Sequence, residues 1–174
     1  MAQLGSTTIF GKLFTNELVE TGSSGDGSSS IIGSPFSSHL SNTQTNAENG
    51  FRVNIFETVD LASAEINIDS NNQITVAQPG TYNISWMVNF HRTGSGGRNI
   101  MYSEIEVNGN NLVDRTRSAD YIRTSGNGDE CSTGSSVYLY LSDGDSINIY
   151  ANEERGGENG NDIERAFINI QKVR

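Results

Sequence analysis

The chain predicts an all-β fold built as a two-sheet sandwich, and three observations carry that prediction. Ile74 to Phe90, ITVAQPGTYNISWMVNF, spells a strand, a Pro-Gly corner and a second strand. In the second strand Tyr82, Ile84, Trp86, Val88 and Phe90 fall on one face and Thr81, Asn83, Ser85 and Asn89 on the other, with only Met87 out of pattern. A period of two sustained this long marks a half-buried β-strand. Further short apolar segments, bounded by turn residues, recur at the spacing of a sandwich. The composition agrees: 19 Gly, only 2 Pro, many Ser, Asn and Thr, and no window with helical periodicity.

In chain order the pattern predicts strands over 51–56, 64–68, 73–77, 81–91, 99–107, 111–115, 135–141, 146–152 and 163–172. Asp69-Ser70-Asn71-Asn72, Asn108-Gly109 and Asp143-Gly144 supply turn chemistry, and Asn-Gly suits the positive φ angles of a tight hairpin. The stretches 91–98, 116–134 and 153–162 are expected to be polar loops.

Ahead of these strands the chain changes character twice. Residues 1–21 form a β-prone arm in which Ile9, Phe10, Leu13, Phe14, Leu18 and Val19 carry more apolar surface than a free tail tolerates. Those six residues are expected to anchor the arm on a partner. Residues 22–50 are about half Gly and Ser and are expected to act as a linker, leaving 51–174 as the folded head. At 174 residues in all, a head of this size buries a respectable core.

A net charge of −10 opposes nucleic-acid binding, which needs clustered Lys and Arg, and opposes docking on an anionic membrane surface. No apolar run approaches the ~20 residues of a membrane span, and the opening MAQLGSTTIFGK lacks the basic and apolar regions of a secretion signal. Synthesis in a cytoplasm is expected. Cys131 is alone, so no intramolecular disulfide forms, and the thiol is expected to be inert.

Neither His39, in the linker, nor His91, at a strand end, falls in a nucleophile–base arrangement. Glu104 and Glu106 share a strand face, but a solvated acidic face is the commoner meaning of such a pair. No enzyme activity and no cofactor are expected. Asp143, Asp145, Glu153 and Asp162 offer oxygen atoms of the kind calcium takes, without the spacing of a dedicated loop, so no metal is assigned. Arg115, Arg117 and Arg123 make one locally basic patch, expected to pair with nearby acids.

Two strands are apolar on both faces. Val137, Leu139 and Leu141 oppose Tyr138 and Tyr140; Met101 and Ile105 oppose Ile100 and Tyr102. A sandwich buries one face per strand. The second face, Ile100, Tyr102, Tyr138 and Tyr140, is therefore expected to meet another subunit.

The order of these motifs adds a resemblance. A strand opening on Pro79-Gly80-x-Tyr82, a hairpin at Asn108-Gly109, a strand running into Leu141-x-x-Gly144-Asp145 and a last strand at the C-terminus together resemble the globular head of complement-type proteins, a jelly roll shared with the tumour necrosis factor superfamily. The resemblance covers Phe51 to Arg174 and departs in one respect: the aromatic cluster near the end of such heads is reduced to Phe167. It implies a jelly-roll β-sandwich head preceded by an extended N-terminal arm, and a threefold assembly.

The opening LGSTTIFGKL resembles short openings of bacteriophage tail-fibre and other virion proteins. No Gly-X-Y repeat precedes the head. These resemblances imply a virion structural protein, a homotrimeric capsid decoration or cement protein whose arm binds the major capsid protein or another shell protein. A tail-fibre head contacting a host glycan or protein is the alternative, and a cellular ligand or spore-surface head a third.

Overall fold

The computed structural model describes residues 33–45, 50–55, 57–69, 73–94, 98–109, 111–123, 129–155 and 160–174. The arm, with Ile9, Phe10, Leu13, Phe14, Leu18 and Val19, lies outside the described residues, as do 22–32 and 46–49 of the expected linker.

The strands in chain order are β1 (Phe36–His39), β2 (Phe51–Arg52), β3 (Thr58–Leu61), β4 (Ile66–Ile68), β5 (Ile74–Val76), β6 (Gly80–Arg92), β7 (Asn99–Val107), β8 (Asn111–Leu112), β9 (Ser118–Ile122), β10 (Glu130–Leu141), β11 (Ser146–Arg155) and β12 (Asn161–Lys172). They form two antiparallel sheets. The first has the order β10-β6-β12-β1-β3; the second has the order β4-β5-β11-β7-β8, with β2 also pairing β11 and β9 also pairing β7. From β5 onward the chain passes repeatedly from one sheet to the other, so each sheet interleaves strands distant in sequence. This is the all-β jelly-roll sandwich that the alternation and the motif order imply.

The long strand β6 shows why the sheets close on each other. Its inward row, Tyr82, Ile84, Trp86, Val88 and Phe90, is buried and belongs to one continuous core with Met101, Ile105, Ile147, Ile149 and Ala151 of the second sheet. Each such side chain contributes about 1.5–3 kcal/mol on burial. The Tyr82 hydroxyl stays satisfied by donating to the Gln78 carbonyl at 2.6 Å, which closes the Pro-Gly corner. Burial, with Glu65 and Asp143 nearby, pushes that hydroxyl's pKa up to about 12.

Polar groups stitch one side of the sandwich. Trp86 Nε1 donates to Ser103 Oγ at 3.2 Å, and Ser103 Oγ shares a hydrogen bond of 2.6 Å with Thr133 Oγ1, joining β6, β7 and β10 in the interior. At the surface, Ser118 Oγ accepts from the Gly134 amide at 3.1 Å and the Asp120 carboxylate from the Ser132 amide at 3.4 Å. These bonds occupy amides of β10 that would otherwise form an open sheet edge. The Asn108-Gly109 turn takes φ angles of 54° and 77°, the left-handed region its sequence was expected to serve.

Several boundaries differ from the sequence reading: the strand expected over 51–56 ends at Arg52, β3 was not expected, and β11 and β12 run into the loop expected over 153–162. Within the stretch expected as a linker, Phe36–His39 is β1, seated between β12 and β3. Phe36 is 2% exposed and Leu40 is buried, so these two large side chains are core rather than tether. Ser38, which faces inward between them, donates its hydroxyl to the Ile55 carbonyl. The 116–134 loop contains β9 and the first residues of β10, where small or polar inward residues such as Thr133 dilute the apolar signal. The strand expected over 111–115 stops at Leu112 and gives way to a 3-10 turn, Asp114–Thr116, in which Thr116 Oγ1 donates to the Val113 carbonyl and accepts from the Ile105 amide.

Candidate functional site

The outer faces of the two sheets are where this chain can meet something else, and they are built differently. On the first sheet, β10 turns Tyr138 and Tyr140 outward, 64% and 71% exposed. Register sets them beside Asn83 and Thr81 of β6, and Ser136 beside Ser85. Across β6 lie Gln171, Asn169 and Phe167 of β12, then Ser37 and His39 of β1. Short Ser, Thr and Asn side chains make this a low surface, with tyrosines at one margin and the exposed Leu61 and Val59 of β3 at the other. A second backbone can approach such a surface closely.

On the second sheet the outward row is crowded and charged. Tyr102, Glu104 and Glu106 of β7 stand opposite Asn152, Tyr150 and Asn148 of β11, and Arg52 of β2 stands beside Tyr150. Arg52 Nε donates to Glu106 and its Nη2 donates to the Gly109 carbonyl at 3.0 Å. Donating to Glu106 raises the Arg52 pKa, with the carboxylate's charge adding to it and burial opposing. Arg117 lies 3.7 Å above the centre of the Tyr102 ring and reaches Glu154 at 3.6 Å. Asn152 Nδ2 donates to both the Tyr102 and Tyr150 hydroxyls, at 3.3 and 3.4 Å. Burial raises the Glu104 carboxyl above its ordinary range; Arg117 opposes this and Asp114 adds to it.

The four residues expected at a subunit contact therefore do not form one patch. Tyr138 and Tyr140 lie on the outside of the first sheet, whereas Ile100 and Tyr102 lie on the outside of the second. Tyr102 is only 7% exposed, covered by Arg117 of its own chain, and Ile100 is half-buried opposite Tyr121. The two-faced pattern is real in both strands, but in β7 the chain covers most of its own second face.

The remaining candidates disperse. His39 pairs with Asp60 at 2.8 Å, and His91 stands between Glu164 at 3.0 Å and Asp129 at 3.6 Å. Burial first, then Asp120, pushes the buried Cys131 thiol up to about 12, which keeps it protonated at neutral pH. Of the basic patch, Arg117 does meet an acid, while Arg115 donates to the Tyr138 carbonyl at 3.5 Å. Asp145 spends its oxygens on the Asn108 side-chain amide and the Ser142 main-chain amide, both at 2.7 Å, tying two hairpins together. Among the described residues no group of three or more His, Cys, Asp or Glu side chains stands close enough to hold a metal ion. No described helix is long and apolar enough to cross a membrane.

The fold has clear counterparts among solved structures. The globular domain of zebrafish complement 1qA protein superposes with a TM-score of 0.57 at 16% identity, covering 82% of this chain and 98% of that one. Eiger TNF from S. frugiperda gives a TM-score of 0.53 at 13% identity over 82% and 92% of the two chains. Murine APRIL gives a TM-score of 0.53 at 14% identity over 81% and 99%. At these identities the likeness is one of fold, that of the tumour necrosis factor and complement heads. No protein-family model matches the chain, and no curated protein sequence matches it.

Proposed function

We propose that this chain is a bacteriophage virion structural protein, a homotrimeric capsid decoration protein whose head coats the shell while its N-terminal arm attaches to it. The observation that carries the reading is the pair Tyr138 and Tyr140, both more than half exposed on a low surface of short polar side chains. Two ordered aromatic rings left in water on a sheet face are the anchor type that contributes most when a partner covers them. A second copy of the head, presented by a rotation about a threefold axis, is the partner proposed here. The fold, shared with heads of the tumour necrosis factor and complement type, supports that arrangement.

The apolar residues of the arm, Ile9, Phe10, Leu13, Phe14, Leu18 and Val19, supply the attachment. A β-prone arm binds by adding a strand to an exposed edge of a shell protein, with main-chain hydrogen bonds giving affinity and side-chain pockets giving register. Three arms on one trimer make modest individual contacts long-lived. The partner proposed is the major capsid protein or another shell protein. The acidic surface speaks against nucleic acid and anionic membrane as partners.

Counting copies in purified particles tests the reading. Hundreds per particle are expected of a decoration protein. A few trimers per tail favour a fibre or receptor-binding head instead.

A further inference from the structure

We propose that the outer face of the second sheet carries a binding site for a neutral saccharide, in the cleft between β2, β7 and β11. The cleft is an open depression of about 440 Å³ lined by Gly50, Phe51, Arg52, Glu106 and Tyr150. That size suits one or two sugar rings, within the ~300–1,000 Å³ of small-molecule sites.

Two features mark it as built. Gly50 has a φ of 68°, and a Cβ placed there would stand 2.1 Å from the Tyr150 hydroxyl oxygen, so only glycine lets the ring and the chain turn share this wall. Asn148 is 6% exposed and sits in register with Glu106, two residues before Tyr150 on the same outward row. Its Nδ2 is buried and has no hydrogen-bond partner. A buried amide donor left unpaired is costly, and a turn of the Asn148 side chain toward the cleft would let a ligand hydroxyl satisfy it.

The chemistry of the lining selects the ligand. Arg52 donates, Glu106 and the Tyr150 hydroxyl accept, the Tyr150 ring offers an apolar face, and the Asn148 amide stands in register with Glu106 beside the lining. A sugar presents hydroxyls that both donate and accept, above a face of C–H groups, and matches each of these. Arg52 is already neutralised by Glu106, and Glu104 stands next along β7, so the site has no spare positive charge for an anion. A neutral ring is the class that remains. The inference does not depend on where the head is mounted or how many copies assemble.

The test uses the full chain and the methyl glycosides of glucose, galactose, mannose and N-acetylglucosamine, followed by saturation-transfer NMR and calorimetry at millimolar ligand. At least one glycoside is expected to bind, and Glu106→Gln and Asn148→Ala are each expected to weaken it about tenfold. Tyr150→Phe, which keeps the ring, serves as the variant least disturbing to folding and is expected to weaken binding with the melting temperature unchanged. Failure of all four glycosides to bind would overturn the site. So would binding indifferent to all three substitutions, or a preference for a sialylated over a neutral sugar. A monomeric head that still binds a glycoside would overturn the assembly proposed above and leave this cleft standing.

Discussion

The two outer faces of this sandwich arise from the same period-two pattern and end in opposite states. On β10 the outward tyrosines keep little cover from the described residues; on β7 the outward Tyr102 is roofed by Arg117, tied to Asn152 and tilted against Tyr150 with ring centres 6.4 Å apart. The difference lies in the neighbours. Tyr138 and Tyr140 stand beside Asn83 and Thr81, side chains too short to reach over a ring. Tyr102 has register partners just as short, Asn152 and Ala119, but Arg117, one residue ahead of β9, reaches over its ring. An outward aromatic is thus an interface candidate when no long side chain of its own sheet reaches over it, and part of the chain's own surface layer when one does.

The largest expected effect sharpens the comparison by separating both faces from the core beneath them. Phe36→Ala should cost about 3–5 kcal/mol, the price of emptying a buried aromatic site. Thermal or denaturant unfolding would read it. Truncation through Leu40, which strips β1 from β12, should abolish folding, whereas truncation through Ile32 should leave the head folded; equal melting of both truncated forms would return β1 to the linker.

Tyr102→Ser comes next. It removes a covered ring and its cation-π contact, with an expected loss of about 1–3 kcal/mol from the isolated head. The paired change Tyr138→Ser with Tyr140→Ser should leave the head's own unfolding midpoint nearly unmoved. Equal losses at the two sites would erase the distinction between the faces.

A smaller effect concerns charge on the second face. The Glu104 carboxyl titrates higher in the folded head than in the unfolded chain, so its contribution to stability is complete below the unfolded value and is lost as pH rises through the folded one. Glu104→Gln should therefore stabilise the head at neutral pH, and the gain should vanish in acid below the ordinary carboxylate range. Melting curves across that range check the sign.

The smallest expected effect is none. With Asp145 committed to Asn108 and Ser142, chelation by EDTA should leave the melting temperature unchanged. A drop reversed by calcium would recast Asp143, Asp145, Glu153 and Asp162 as ligands.

Most of the sandwich was legible in the chain because its central strands alternate strongly. The reading of 99–107 matches β7, and 81–91 falls one residue short of β6 at each end. What stayed hidden were strands whose inward residues are small or polar. In β1 the inward Ser38 sits between Phe36 and Leu40, and its surroundings of Ser and Gly resemble a tether. In β9 only Ile122 is fully buried, so five residues carry one apolar signal. The tyrosine face was legible from alternation alone. The cleft was not, since Gly50, Arg52, Glu106 and Tyr150 meet only through strand register across about a hundred residues, and no local pattern encodes it.

Native mass spectrometry of the head, beside its Tyr138→Ser, Tyr140→Ser double variant, tests the central claim that the first sheet's outer face is the assembly surface. The account predicts three copies for the natural sequence and one copy for the variant, with the two heads unfolding at the same denaturant midpoint when diluted to the monomer. A natural head that is monomeric at micromolar concentration, or a trimer that survives the loss of both tyrosines, would contradict it.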